Sequence, residues 1–173
     1  SIRSFLTRAG QFGPVNKMTP ELRDVAHKMY RKGMELSQTF VVAVLADTEE
    51  LPEYLIPTPL ARSARISLFC ATLGKGLDEA VESLFQKDKP LEGALLDAWG
   101  SEAVEQMAQN VDSLLRARHG KGTMRFSPGY GDFSVLHNGE LLRYLSSESA
   151  TLPLFASAET GILTPRKSVV CMI

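Results

Sequence analysis

The sequence has no apolar run near the roughly 20 residues needed to span a bilayer; its longest, residues 40–46, is far shorter. A membrane-spanning helix is not expected. An excess of charge of one sign is also missing, because 19 Lys and Arg stand against 20 Asp and Glu for a formal net charge of -1, with no basic cluster. Binding to nucleic acid or to an anionic membrane surface relies on such clusters, so neither partner is expected. Only two cysteines occur, Cys70 and Cys171, both in apolar company. They read as buried free thiols rather than a bridge, which fits a cytoplasmic setting. The three histidines stand apart, without metal-ligand spacing. No G-x-S-x-G elbow, Walker loop or G-x-G-x-x-G loop is present, and Gly74-x-Gly76 lacks the third glycine. Hydrolase and nucleotide-binding readings therefore gain no support. No internal repeat is found. The start at Ser1, with no basic and apolar leader pattern, reads as a processed or trimmed end.

What is there is enough for one sizeable core: 173 residues, 44% of them hydrophobic. A single domain over 1–173, by default of α/β type, is expected, with residues 1–16 as an arm or irregular lead-in around Gly10, Gly13 and Pro14. Thr19 followed by Pro20 predicts a helix start, and apolar spacing carries that helix to about residue 36, with His27 on its solvated side. Residues 39–46 are β-branched and nearly all apolar, predicting a strand buried on both faces. Pro52, Pro57 and Pro59 then stiffen a non-helical connection. A second strand is predicted over 66–74. A helix follows from Leu77, with Asp78 and Glu79 in its first turn where the dipole favours carboxylates, and ends at Asp88-Lys89-Pro90.

The longest helix is predicted over 91–118. Gly100 in its interior costs about 1 kcal/mol against Ala and predicts close packing against another backbone. Asp97, Ser101 and Glu105 recur every four residues and so share one face, either a solvated stripe or part of a site. Beyond it, a short helix is predicted over 139–145, a strand over 152–156, a loop or hairpin over 157–167 and a strand over 168–173. The sequence ends inside that last apolar run, as an edge-terminating strand or with a tail missing.

Residues 125–133, Arg-Phe-Ser-Pro-Gly-Tyr-Gly-Asp-Phe, join a guanidinium, a tight turn and a phenol. Pro128 presets φ at the second turn position, and Gly129 supplies the positive φ that a type II turn requires at the third. The residue types alone allow a plain surface turn. They equally allow a ligand site in which Arg125 offers a planar fork to a carboxylate, Gly129 admits close approach and Tyr130 adds a ring or hydroxyl. His137, five residues past Asp132, reads as a structural histidine or a general base.

Four motifs in order carry a family resemblance. Arg125-x-x-Pro128-Gly129-Tyr130 resembles the R-x-x-P-G-Y signature of the activation domain of cobalamin-dependent methionine synthase, including its free-standing relatives. Asp97-Ala98-x-Gly100-Ser101-x-Ala103-x-Glu105 is similar to the helix of the short members. Ala71-Thr72-Leu73-Gly74 matches the preceding strand and turn, and Glu159, Pro165, Lys167, Ser168 and Val169 follow the late T-E…P-x-K-S-V passage, with Ala158 in place of the usual Thr.

The resemblance implies an α+β fold, a twisted, mainly antiparallel sheet with flanking helices. It implies a reactivation module, an accessory component of the methyltransferase, that presents S-adenosylmethionine to cobalamin oxidised to its inactive state. The cobalamin would be carried by a methionine synthase that lacks its own activation domain, and the electron would come from a flavodoxin-like donor. Arg125, Ser127, Gly129 and Tyr130 would hold the ligand, with Glu105 orienting one of these groups. The large enzymes add an acidic contact near the domain start, for which Asp47 and Glu49 are the possibilities here, and an aromatic segment after the last motif, which has no counterpart. Two other functions stay open: a non-catalytic module that docks on a corrinoid protein without using the ligand, and a ligand-responsive sensor.

Overall fold

The structure, a computed structural model, describes residues 4, 5, 7, 19–120, 122–148 and 151–173. Helix α1 (Pro20–Leu36) starts as its sequence dictates: Thr19 Oγ1 accepts the Leu22 N–H at 3.3 Å and Pro20 occupies the first turn. Ala26, Met29 and Gly33 form its buried stripe, and His27 is exposed. Strand β1 (Phe40–Asp47) follows, then three single-turn 3-10 pieces, Thr48–Glu50, Glu53–Leu55 and Thr58–Leu60, and strand β2 (Arg65–Thr72). Helices α2 (Gly76–Gln86) and α3 (Pro90–His119) form a hairpin through Asp88, which has a φ of 56°. Helix α4 (His137–Glu148) and strands β3 (Phe155–Ala156), β4 (Leu163–Thr164) and β5 (Ser168–Met172) complete the order.

β2 is the central strand of an antiparallel sheet in the order β1-β2-β5, while β3 and β4 make a separate two-stranded ribbon. Its two rows of side chains bury in opposite directions, as the period of two requires. Phe69, with Cys171 and Ile173, meets Ala108 and Val111 of α3, whereas Leu68, Cys70 and Met172 meet Leu141 and Leu145 of α4. A third cluster joins Met29, Leu77, Val81, Leu95 and Trp99 among α1, α2 and α3. The result is the α+β architecture expected, an antiparallel sheet with flanking helices.

Several expectations need correction. β1 alternates between half-buried and exposed rather than being buried on both faces, because it is the sheet's edge and α3 shelters β2 and β5 more than β1. The strand expected over 152–156 contracts to Phe155–Ala156, with Pro153 in the excluded part. α4 begins before Asn138-Gly139 rather than after it: the amides of His137, Asn138 and Gly139 donate to the carbonyls of Ser134, Val135 and Leu136 in a 3-10 lead-in. Ser4, Phe5 and Thr7 are helical rather than irregular, and Phe5 is fully buried with its ring 6.1 Å from that of Tyr30. The rest of the expected arm, residues 1–3, 6 and 8–16, lies outside the described residues.

Gly100 packs against a side chain, not a backbone. A Cβ there would come within 3.0 Å of Cγ and Cε of Lys167. The close helix crossing is instead at Gly33, where a Cβ would lie 2.3 Å from the Trp99 ring.

Candidate functional site

The 125–133 segment hangs on the outer edge of β5. Phe126 and Met172 exchange two backbone hydrogen bonds, each 2.8 Å, as an isolated antiparallel bridge. The chain then reverses as its residues predict: the Tyr130 N–H donates to the Ser127 carbonyl at 3.3 Å across Pro128-Gly129, and Gly129 has a φ of 97°. The Gly129 N–H donates to the Phe133 carbonyl at 2.8 Å, and the Phe126 ring lies 6.2 Å from that of buried Phe133. Adjacent residues on extended backbone point to opposite sides. Phe126 packs with the α4 cluster, and Arg125 reaches α3.

There it ion-pairs with Glu105, Nη2 donating to Oε1. The Arg125 side chain is 19% exposed and that of Glu105 47%, so the pair sits at a mouth rather than in a dry core. Burial pulls the guanidinium pKa down, but the Glu105 hydrogen bond and the charges of Cys171, Glu105 and Asp112 outweigh it and leave the pKa raised. Nη1 of Arg125 is buried and has no hydrogen-bond partner.

A cavity of about 440 Å³ lies between the turn, α3 and β5. Glu105, Arg125, Ser127, Tyr130, Asn138 and Ser168 contribute its polar lining, and Met124, Phe126 and Leu163 are among the apolar groups. Ser127 Oγ lies 3.2 Å from Cys171 Sγ in one wall. Burial pushes the Cys171 thiol up to about 11, with the Ser127 hydrogen bond and the Arg125 charge partly opposing it. Tyr130 is 67% exposed at the opening. The structure thus brings Glu105, Arg125, Ser127 and Tyr130 together around one space, while Gly129 shapes the turn without lining it.

The wall formed by β5 is fixed by side chains the sequence shows only as a motif. Lys167 lays its stem across Gly100 and places Nζ 2.8 Å from Asp97 Oδ1 and 3.0 Å from Ser101 Oγ. Asp97 and Ser101 are therefore neither a free stripe nor ligand groups at this cavity; they anchor the strand. Ser168 Oγ reaches Thr72 Oγ1 at 2.7 Å and donates to the Pro165 carbonyl at 2.6 Å.

Other candidates fall elsewhere. His137 stacks on Phe133 at 4.8 Å and lies 3.4 Å from Glu140 Oε2, lining a different hollow beside α4. Asp47 and Glu49 do not line the Arg125 cavity. Asn138, which sequence reasoning treated as an interruption, is buried in its wall and donates from Nδ2 to the Gly161 carbonyl at 3.0 Å. An amide next to glycine carries no signal of that role. Both cysteines are buried and free, as expected, and burial pushes Cys70 up to about 12.

A larger groove of about 1040 Å³ runs between α2, α3 and Pro165. Most of its charged groups are paired: Asp78 with Arg166 at 3.5 Å, Lys75 with Glu79 at 3.3 Å, and Asp97 with Lys167, which lies outside the groove's lining, while Glu82 accepts from Gln86. Size favours that groove, and it too holds a buried polar atom without a hydrogen-bond partner, Asp78 Oδ1; the Arg125 cavity sets a guanidinium beside a carboxylate, with the exposed Tyr130 ring at its edge. Those are features of recognition rather than of volume. Among the described residues, no three His, Cys, Asp or Glu side chains converge as a metal site, and no helix is long and apolar enough to cross a membrane.

No protein-family model matches the chain. A search of curated proteins likewise finds no match. Among solved structures, the chain is similar to one described as the crystal structure of the MetH reactivation domain bound to AdoHcy, with a TM-score of 0.63 and 13% identity. The match covers 88% of this chain and 63% of that one, so this chain spans less than two thirds of its neighbour's length. At that identity, the likeness establishes a shared fold: the chain is built as a MetH reactivation domain is built.

Proposed function

We propose that the chain binds S-adenosylmethionine in the Arg125 cavity. It would act as a reactivation module for a cobalamin-dependent methionine synthase supplied in trans. The observation that carries this reading is the Arg125 guanidinium, fastened through Nη2 to Glu105 and left with a buried, unpartnered Nη1 in the wall of a cavity. A guanidinium offers a planar fork of donors whose geometry suits a carboxylate, and Arg125 lines the cavity beside Glu105.

The residues fit the ligand's parts. An amino-acid head carries a carboxylate beside an ammonium, and Arg125 beside Glu105 presents the complementary pair of charges. The exposed Tyr130 ring offers its face to the sulfonium or to the adenine. A volume of about 440 Å³ falls within the range of small-molecule sites. The bound sulfonium supplies the methyl group. The chain's own work is to hold the head group and keep the ligand at the opening beside Tyr130. The cobalamin belongs, in this reading, to the partner, and a flavodoxin-like protein supplies the electron. The R-x-x-P-G-Y and D-A-x-G-S-x-A-x-E motifs and the shared fold support the assignment.

Calorimetric titration of the protein with S-adenosylmethionine tests it. Saturable binding that Tyr130→Ala weakens is expected. No binding, either alone or with a cobalamin-loaded methionine synthase present, rejects the ligand. A partner that docks equally well with and without the ligand would favour a plain interaction module.

A further inference from the structure

Strand β1 carries an edge that the rest of the described chain does not cover. It is the outermost strand of the β1-β2-β5 order and pairs only with β2 among the described residues. Exposed edges are normally blunted by Lys, Pro, a bulge or a short length, since their free N–H and C=O groups template further pairing. β1 has none of these: its eight residues keep unbroken register with β2, and Asp47 at the end is its one charge. Val41 is 41% exposed and Leu45 37%, and Ala43 between them is exposed on the same face.

We infer that β1 pairs antiparallel with β1 of a second copy of this chain, across a two-fold axis at Ala43. The pattern is self-complementary about that residue. A two-fold axis normal to the sheet keeps each row of side chains on its own face, so residue partners must have the same parity and one residue must face itself. With Ala43 on the axis, Val41 stands opposite Leu45 of the second copy, twice. The half-buried Val42 stands opposite Val44, and Phe40 opposite Ala46. The N–H and C=O of Ala43 point away from β2, so the two Ala43 residues meet as a hydrogen-bonded pair with Cα atoms about 5.5 Å apart, and the smallest side chain of the exposed row sits on the axis. Asp47 meets Thr39, and the two Asp47 carboxylates sit about 27 Å apart along the strands. No like charges meet, and the two exposed apolar rows cover each other. Beside Leu45 a hollow with a mostly polar lining, among it Arg65, Arg116 and His119 with Leu115 and Ile173, bounds the apolar row. The pairing joins two three-stranded sheets into one of six strands, and it does not depend on the ligand proposed above.

Light scattering on the full chain at micromolar concentration is expected to give twice the single-chain mass. Ala43→Lys sets two ammonium groups face to face on the axis and is expected to return the single-chain mass with an unchanged circular dichroism spectrum. Met34→Lys, at an exposed site on α1, is expected to leave the dimer intact. Register is tested by cross-linking. Directly opposed residues have Cα atoms about 4.5–5.5 Å apart, within disulfide reach, so Ala43→Cys is expected to link the copies under mild oxidation. Val41→Cys is expected not to, because its two copies lie about 14 Å apart along the strands. The native thiols are buried and do not compete. A single-chain mass for the unmodified protein overturns the inference, whether its edge stays bare or captures another protein. So does a dimer that survives Ala43→Lys, or equal cross-linking of both cysteine variants.

Discussion

Replacing Arg125 by methionine separates a recognition residue from a structural one, because the two roles predict opposite effects on stability. Methionine keeps an apolar stem of similar reach and removes the guanidinium. The lost ion pair involves a half-exposed Glu105 and is worth about 0–1 kcal/mol. Against it, removing the buried Nη1 that has no partner relieves about 1–3 kcal/mol. The ligand-free variant should therefore be as stable as the parent or more so. At about 2–4 °C per kcal/mol for a chain of this size, Tm should stay level or rise by a few degrees. Ligand binding should move the other way. Loss of a hydrogen-bonding charge costs about 1.5–3 kcal/mol, or about 10- to 150-fold in Kd for S-adenosylmethionine. Thermal melts without ligand and calorimetry with it read the two quantities separately. A Tm lowered by more than about 4 °C would show that Arg125 holds the fold together through contacts other than Glu105. Unchanged affinity would refute its place in the ligand site.

Two further outcomes follow from the packing and the thiols. Gly33→Ala gains about 1 kcal/mol of helix propensity yet forces a Cβ to 2.3 Å from the Trp99 ring; denaturant unfolding should show a net loss of about 1–2 kcal/mol, and a net gain would mean that α1 and α3 can separate freely. Cys171, raised from 9.0 to about 11, keeps its proton when folded after the unfolded thiol has lost it, so its contribution to stability is fully present below pH 9 and is lost as pH climbs through about 11. Cys171→Ala should flatten that part of the alkaline stability profile, and native protein should resist alkylation at pH 8 while unfolded protein reacts; rapid native labelling would show an open wall at β5.

Where local chemistry dictates local structure, the sequence was a sufficient guide. Thr19-Pro20 set the start of α1, and Pro128-Gly129 set the reversal, because capping and φ preferences act within four residues. The apolar and β-prone residues of β2 predict a strand, and the structure buries it on both faces, which that reading did not specify. Reasoning from apolar residues to burial failed for β1, whose residues look just as buried: hydrophobicity along a strand cannot reveal whether it lies in the centre or at the edge of a sheet, which depends on its neighbours. It failed for Gly100 too, since a glycine shows that space is needed but not what fills it.

For the candidate site, the sequence alone determined the kinds of groups present: a guanidinium, a carboxylate on a helix face, a turn and a phenol in a fixed order. Only the tertiary structure decided which of them meet. Glu105 joins Arg125 across 20 positions of chain, while Asp97 and Ser101, on the same helix face, turn out to hold Lys167. Helical periodicity gives direction but not destination, because what a side chain reaches is set by how the sheet and α3 pack against each other.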